Sequence, residues 1–106
     1  MEHIVVFITA GSADEADKLS RGLVEERIAF CVNSVPGVKS TYYWEGKIHV
    51  DQEILLIVKT RNDRFAELET WVKKNHSYSV PEIIALPIEK GSLQYLQGID
   101  DWVKKH

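Results

Sequence analysis

A two-residue turn in the middle of the chain constrains the fold most. Glu45-Gly46 follows a strand-like segment that ends at Trp44 and precedes a second one that begins at Lys47. Glycine readily adopts the positive φ angle that a tight β-hairpin turn needs. A hairpin makes its strands antiparallel neighbours, whereas parallel neighbours need a crossover of a dozen or more residues. The sequence therefore excludes a sheet made only of parallel strands.

The first half of the chain predicts a strand, a helix and a second strand. A β-branched and aromatic run, His3 to Thr9, predicts the first strand. A helix follows from about Ala13 to Arg27, with apolar residues at helical spacing. Ser12 is its expected N-cap, and Glu15, three residues later, completes a capping box. The next strand is predicted at residues 29–35. Pro36-Gly37 then breaks the ladder of hydrogen bonds locally, and strand character resumes from Lys39 to Trp44.

The second half repeats the order strand, helix, strand and adds a last helix. The returning hairpin strand extends from about Lys47 to Thr60, and Asn62 or Asp63 is expected to cap the second helix. Glu82 to Ile88 predicts another strand, which Pro87 places at an edge or a bulge. The short C-terminal helix has an apolar face made of Leu96, Ile99 and Val103.

This order predicts one α+β domain that spans residues 1–106. The length fits a single domain. A ferredoxin-like split β-α-β sandwich, with both long helices on one face of the sheet, satisfies the rule of right-handed crossovers. An extended central hairpin and a short C-terminal helix complete the predicted fold.

Apolar residues on both faces of the predicted strands indicate an oligomer. Ile4 to Ile8, Ile54 to Val58 and Ile83 to Leu86 are apolar at consecutive positions. Two helices cover one face of such a sheet, and the short last helix can cover only part of the other. Monomers rarely expose more than a few hundred Å² of contiguous apolar surface. We therefore expect several subunits to pack these faces together; the alternative is that the last helix suffices.

Composition excludes several classes of function. The chain has 13 Lys and Arg against 16 Asp and Glu, and its formal net charge is −3. Without a basic stripe, a nucleic-acid partner is not expected, and the basic residues at 104–106 are interpreted as a solvated tail. No apolar run approaches the ~20 residues of a membrane span, and the start of the chain does not resemble a signal peptide. A single cysteine, Cys31, favours the cytoplasm.

Three stretches are distinctive when taken together: residues 29–33, the segment Tyr42-Tyr43-Trp44-Glu45-Gly46-Lys47-Ile48, and residues 76–83. Their order and spacing resemble those of the CutA family of divalent-cation-tolerance proteins. The resemblance covers essentially the whole chain. It implies a ferredoxin-like homotrimer, similar in architecture to the PII nitrogen-signalling proteins, that is linked to copper tolerance and has no agreed enzymatic activity. The chain departs from the family at Ser77 and Ser79, where the usual loop has proline and glutamate, and at Ile8, where some members have cysteine.

His76 and Cys31 are the candidate metal ligands. Imidazole binds copper, zinc or nickel, and a thiolate is a soft ligand suited to Cu(I). A hydrogen-bonded loop histidine and a small buried cysteine are the structural alternatives. The sequence has none of the paired Cys or His spacings of a structural zinc site. We predict no required cofactor and weak binding of copper or another divalent ion, at a site that is incomplete within one chain.

A second group of candidates lies at strand ends, where subunits of this fold would meet. These residues could line an interface cleft that binds a small anion, or could form ion pairs with one another. The group consists of Tyr43, Trp44, Lys59, Tyr78 and Glu82. The start of the first helix, at Gly11-Ser12, could also hold an anion.

The favoured function is therefore a non-enzymatic homotrimer linked to divalent metal ions, above all copper. The alternative is a PII-like signalling protein that binds a small anion or a nucleotide between subunits. An acylphosphatase-like enzyme ranks last because it would need an arginine in the loop at residues 9–12, which has none. The sequence identifies no protein partner.

Overall fold

Residues 2–103, the part of the chain that the computed structural model describes, form a four-stranded sheet and three α-helices. The residues at 104–106, interpreted above as a solvated tail, lie outside this described part. In chain order the elements are β1 His3–Ala10, α1 Ala13–Glu25, β2 Cys31–Trp44, β3 Lys47–Arg61, a 3-10 turn Asn62–Arg64, α2 Phe65–Asn75, β4 Ile83–Pro87 and α3 Leu93–Trp102. None of these helices is long and apolar enough to cross a membrane.

The sheet has the strand order β2-β3-β1-β4, and every neighbouring pair is antiparallel. β1 and β2, which α1 connects, are therefore parallel to each other and separated by β3. This is the split β-α-β arrangement that the sequence predicted. Pro87 ends β4, an edge strand, where a missing backbone donor is tolerated.

The two long helices cover the same face of the sheet. Alternate residues of the central strands, such as Val6 of β1 and Val58 of β3, point to this face and are fully buried. They pack with Leu23 of α1 and Leu68 of α2 in one continuous hydrophobic core. Burying one leucine or valine side chain stabilises the folded state by about 1.5–3 kcal/mol. This core positions the sheet, on whose edges and ends the site described below is built.

The opposite face of the sheet, which we call the second face, is only partly covered by α3. Asp100 of α3 accepts hydrogen bonds from His3 at 2.9 Å and from Arg61 at 2.5 Å, both at one end of the central strands. Farther along, Phe7 and Ile57 are half-buried, and Ile84 is 54% exposed. The chain by itself therefore leaves an apolar sheet face open, as the sequence predicted.

The ends of both long helices differ from expectation. Ser12 caps α1, because its Oγ accepts a hydrogen bond from the Glu15 amide at 3.1 Å, but the Glu15 carboxylate does not return to Ser12. The predicted cap of α2 by Asn62 or Asp63 is wrong, since both residues lie in the 3-10 turn and α2 begins without a side-chain cap. The Asp63 carboxylate instead accepts two hydrogen bonds from the Arg61 guanidinium, each of 3.1 Å. This bidentate pair uses the carboxylate that a cap would need.

The central hairpin projects well beyond the core. β2 and β3 contain 14 and 15 residues, and the longest dimension of the molecule is 43 Å. Glu45 and Gly46 both have positive φ angles, 48° and 81°, so the predicted two-residue turn is confirmed. Pro36-Gly37 does not divide β2 into two strands. It forms a bulge between Val35 and Val38, after which the pairing with β3 resumes.

Candidate functional site

A cleft of about 480 Å³ lies where the hairpin meets the loop before β4. Its floor is formed by the end of β1 and by the middle of β3, while the loop at residues 76–82 and the hairpin form its walls. The principal lining residues are Thr9, Tyr42, Trp44, Glu53, Tyr78 and Glu82. The cleft therefore collects side chains from four separate segments of the chain.

The pairing register explains why the hairpin presents these side chains to the cleft. Residues at alternate positions of β3 share a face, so Glu53 lies on the same face as Leu55 and Ile57. Across the hairpin, Tyr42 pairs with His49 on that same face, as Trp44 does with Lys47. The cleft therefore opens on the second face of the sheet, beside the apolar surface that α3 leaves uncovered.

Glu53 is the most buried acidic group of the cleft. The residue is only 7% exposed, and its Oε2 accepts a hydrogen bond of 2.7 Å from the Tyr78 hydroxyl. No donor among residues 2–103 reaches Oε1. Burial and the bonded Glu53 carboxylate raise the pKa of Tyr78 well above its usual value, so the hydroxyl remains a donor at neutral pH. One carboxylate oxygen is thus left for a ligand.

Other carboxylates add negative charge around Glu53. Burial raises the pKa of Glu82, and the neighbouring Glu53 charge raises it further. The Tyr42 hydroxyl donates a hydrogen bond of 2.5 Å to Asp51, and this bond raises the pKa of Tyr42. No lysine or arginine lines the cleft in the described part of the chain. Its electrostatic potential therefore favours cations over anions.

His76 positions Tyr78. The imidazole is fully buried, and its Nε2 donates a hydrogen bond of 2.7 Å to the Thr9 carbonyl. Its Nδ1 accepts a hydrogen bond of 3.0 Å from the Tyr78 amide, and the two rings pack 4.7 Å apart. Both ring nitrogens are engaged, as in the hydrogen-bonded alternative that the sequence left open. Metal binding by His76 stays a prediction, and it would require one of these bonds to break.

The Glu15 carboxylate lies at the start of α1, where the sequence predicted a possible anion site. Its carboxylate accepts hydrogen bonds of 2.7 Å from the Ser77 amide and of 3.4 Å from the Gly11 amide. Burial opposes ionisation of Glu15, but these bonds and one from the Ser77 hydroxyl together lower its pKa. The carboxylate therefore stays charged and supplies the negative group that an anion would otherwise supply.

The structure brings together some of the predicted residues and separates others. Trp44, Tyr78 and Glu82 line the cleft, whereas Tyr43 lies on the other side of the hairpin and is 69% exposed. Lys59 is not part of the cleft; its ammonium donates to the Asn33 side chain on the second face.

Cys31 and His76, the two predicted metal ligands, lie far apart. His76 contacts Thr9, which is paired with Leu55, whereas Cys31 is paired with Lys59, four residues farther along β3. Four residues of strand correspond to about 13 Å. Cys31 instead lies near the Tyr95 hydroxyl of α3. Among residues 2–103 no three His, Cys, Asp or Glu side chains are grouped as metal ligands.

Glu53 and Tyr42 line the cleft but were not among the site residues predicted from the sequence. Glu53 immediately precedes the apolar run of β3, at the point where the strand becomes buried on both faces. An acidic residue at such a boundary is a signal that could have identified it, because buried carboxylates need partners. For Tyr42 the signal is its alternation with Trp44, which places both on one face of the hairpin.

Comparisons with known proteins agree on one family. The sequence model of the family described as CutA1 divalent ion tolerance protein matches residues 4–106. The divalent-cation tolerance protein CutA of Thermus thermophilus is 48% identical over 102 residues, which are 96% of this chain and 95% of the relative. A solved structure of the Thermus protein has a TM-score of 0.94 at 46% identity, covering 96% of this chain and 99% of the other. CutA1 from Oryza sativa gives a TM-score of 0.96 at 42% identity, covering 100% and 97%.

The relatives differ in length. The rice chloroplastic protein CutA 1 is 46% identical over 95% of this chain, and the match is 55% of the relative. Protein CutA of Homo sapiens is 40% identical over 93% of this chain and 53% of its own length. The chain thus spans about half of these relatives but nearly all of the Thermus protein.

Proposed function

Because the chain belongs to the CutA1 divalent ion tolerance protein family, we propose that it is a non-enzymatic protein that binds divalent cations, copper above all, in the cleft between the hairpin and the loop. One observation carries this proposal. Glu53 is buried beside Glu82 and keeps one carboxylate oxygen without a donor, in a cleft whose described lining has no basic side chain. A bound cation would neutralise this charge.

The available ligands explain why binding should be weak and should favour copper. Carboxylate oxygens of Glu53 and Glu82, with the Ser79 hydroxyl, supply oxygen donors in the cleft. For a given set of donors, affinity among divalent first-row metals rises to a maximum at Cu²⁺. The described residues of one chain do not supply three grouped acidic, His or Cys ligands. Water or a neighbouring subunit must therefore complete the coordination.

The open apolar face supports a homotrimer as the working form. Phe7, Ile57 and Ile84 form an uncovered surface next to the cleft, and the hairpin projects beyond the core. In the proposed trimer these surfaces pack together and the cleft lies at the edge of the interface. The unpaired thiol of Cys31 is compatible with the reducing cytoplasm, where we place the protein.

The PII-like alternative has no comparable support. A small anion or a nucleotide would meet Glu53 and Glu82 in the cleft, and it would meet Glu15 at the start of α1. Like charges at these positions oppose binding.

The test is a calorimetric titration of the metal-free protein with Cu²⁺ at neutral pH. We expect Glu53→Gln to weaken binding by about 10-fold or more, because a charge-assisted contact is worth roughly 1.5–3 kcal/mol. Glu69→Gln is the matched control, since Glu69 is on the outer surface of α2 and pairs with Lys73 at 3.0 Å. Binding should also weaken as the pH falls, and earlier than for an ordinary glutamate, because the pKa of Glu82 is raised.

Two further titrations separate the alternatives. If His76→Ala abolishes Cu²⁺ binding while Glu53→Gln leaves it intact, the metal site is the one that the sequence predicted at His76. Heat on titration with ATP, in the absence of metal, would favour the PII-like function and contradict a cation site.

A further inference from the structure

We propose that Glu15 of α1 is a positioning residue for the cleft, because it fastens the loop at residues 76–82 to the end of β1 and so holds Tyr78 against Glu53. This inference rests on the cation site proposed above, and it assigns a role in that site to a residue that does not line the cleft. It starts from the hydrogen bonds that the Glu15 carboxylate makes to two separate segments of the chain.

One carboxylate joins the loop to the end of β1. Its Oε2 accepts a hydrogen bond of 2.7 Å from the Ser77 amide, and its Oε1 accepts one of 3.1 Å from the Ser77 hydroxyl. Oε1 also accepts a longer bond, of 3.4 Å, from the amide of Gly11, the residue after β1. The Glu15 side chain is only 13% exposed, and ionised acceptors form the stronger class of hydrogen bond. We call this set of contacts the Glu15 clasp.

Tyr78 lies between the two segments that the Glu15 clasp joins. It follows Ser77 in the loop, and its hydroxyl lies close to Gly11, where an added Cβ atom would be 2.9 Å from the hydroxyl oxygen. The same hydroxyl donates the hydrogen bond of 2.7 Å to Oε2 of Glu53. A shift of either segment therefore moves the hydroxyl relative to Glu53.

The loop needs such an attachment because it has little structure of its own. Residues 77–80 belong to no helix or strand, and most of them are exposed. Segments with few buried side chains open at a small cost in free energy. His76 supplies one attachment, because its Nδ1 accepts the hydrogen bond of 3.0 Å from the Tyr78 amide. The Glu15 clasp supplies a second one at the preceding residue, so the backbone is fixed where the Tyr78 side chain leaves it.

The position of Tyr78 matters for the proposed cation site. The Tyr78 hydroxyl occupies Oε2 of Glu53 and leaves Oε1 to the proposed ligand. Partners that hydrogen-bond a ligating carboxylate orient it, and their loss lowers metal affinity. Without the Glu15 clasp the hydroxyl would leave this position part of the time, and the carboxylate would have to be ordered when the cation binds. That ordering costs free energy, so Glu15 contributes to the affinity through Tyr78.

The test is a calorimetric titration of the full chain with Cu²⁺ at neutral pH, in two variants that separate reach from charge. Glu15→Asp keeps the charge, but its carboxylate is one methylene too short to reach Ser77. Glu15→Gln loses the charge but keeps the length, so its carbonyl oxygen can still accept from the Ser77 amide. We expect Glu15→Asp to weaken Cu²⁺ binding roughly 2- to 30-fold and Glu15→Gln to weaken it less. Asp14→Asn, which removes an exposed charge in the same turn of α1, is the matched control and should leave binding unchanged.

A double-mutant cycle shows whether Glu15 acts through Tyr78. In a Tyr78→Phe background the hydroxyl is absent, so Glu15→Asp should no longer change the affinity for Cu²⁺. A residue that only stabilised the fold would weaken binding equally in both backgrounds. In the metal-free protein, Glu15→Asp should also speed hydrogen exchange of the Ser77 amide about 10-fold or more, because this amide loses its charged acceptor.

The outcomes separate this inference from the proposed function. Wild-type binding of Cu²⁺ that Glu15→Asp leaves unchanged, or weakens equally in the Tyr78→Phe background, overturns the positioning role and leaves the metal site standing. A larger loss in Glu15→Gln than in Glu15→Asp assigns the effect to charge and also overturns it. A wild type that binds no Cu²⁺ overturns the proposed function. Exchange at Ser77 then decides the clasp, which faster exchange in Glu15→Asp supports and unchanged exchange overturns.

A milder variant keeps the inference testable if Glu15→Asp does not fold. Ser77→Ala removes only the bond of 3.1 Å from the hydroxyl and keeps the amide bond to Glu15. It should weaken Cu²⁺ binding in the same direction by a smaller factor, and only where the Tyr78 hydroxyl is present. Unchanged affinity in Ser77→Ala would overturn the inference.

Discussion

Gly22 lets the two long helices pack closely because it has no side chain. A Cβ atom at this position would lie 2.4 Å from both Cη2 and Cζ2 of the Trp71 ring. Real Cβ atoms do not approach other atoms so closely, and a packed indole cannot move as a flexible chain end would. The close approach of α1 to α2 therefore depends on Gly22.

We expect Gly22→Ala to lower the free energy of unfolding despite its better helix propensity. Alanine gains about 1 kcal/mol in a helix interior, whereas overpacking a core costs about 1–3 kcal/mol. The net loss should be on the order of 1 kcal/mol in urea denaturation. In a Trp71→Leu background the clash is absent, so the same substitution should become neutral or stabilising. A destabilisation of equal size in both backgrounds would contradict this explanation.

At the scale of an element, Asp100 links α3 to the end of the sheet, beside the buried side chains of Ile99 and Val103. Its Oδ1 accepts hydrogen bonds from His3 and Arg61, and Trp102 Nε1 donates a bond of 3.0 Å to the Val24 carbonyl. Burial opposes ionisation of Asp100, but the bonds from His3 and Arg61 lower its pKa below the usual 3.8. A group whose pKa is lowered on folding stabilises the fold above its usual pKa and loses that contribution as the pH falls through the lowered value.

We therefore expect Asp100→Asn to speed hydrogen exchange of the α3 amides at pH 7. In the wild type the same loosening should appear only as the pH falls below 3.8. Asp101→Asn is the control, because Asp101 is exposed and, among residues 2–103, bonds only Gln97 of its own helix, at 2.8 Å. Exchange that is equally fast in the two variants would mean that Asp100 does not hold α3.

At the scale of the whole molecule, the second face should drive assembly. Ile84→Asp places a charge on this face, at a residue that is 54% exposed in the single chain. The fold of each chain should survive, whereas a buried unpaired carboxylate in the proposed trimer would be costly. Light scattering coupled to size exclusion should then report a folded monomer.

Two control substitutions help to interpret this result. Thr70→Asp should leave assembly unchanged, because Thr70 is exposed on α2, which covers the other face of the sheet. Leu56→Asp should unfold the chain itself, because Leu56 is fully buried beneath the helices. A trimer that persists with Ile84→Asp would show that the second face is not the interface.

The sequence by itself determined the elements and their order. The tight turn at Glu45-Gly46, the alternation along β3 and the helical spacing in α1 are local patterns, because each depends on the fixed period of a strand or a helix. They were enough to predict the split β-α-β sheet and its open apolar face. The start of α2 was predicted wrongly, because a bidentate ion pair with Arg61 took the carboxylate that the local pattern assigned to a cap.

Only the tertiary structure decided the site. Tyr78 and Glu53 are 25 residues apart in the chain, and their hydrogen bond depends on how the loop crosses the end of β1. The same crossing buries His76 against Thr9, which no local pattern reveals. It also leaves Lys59 and Cys31 at the far end of β3. Periodicity specifies which face of a strand a side chain occupies, but which distant groups meet on that face depends on the packing of the whole chain.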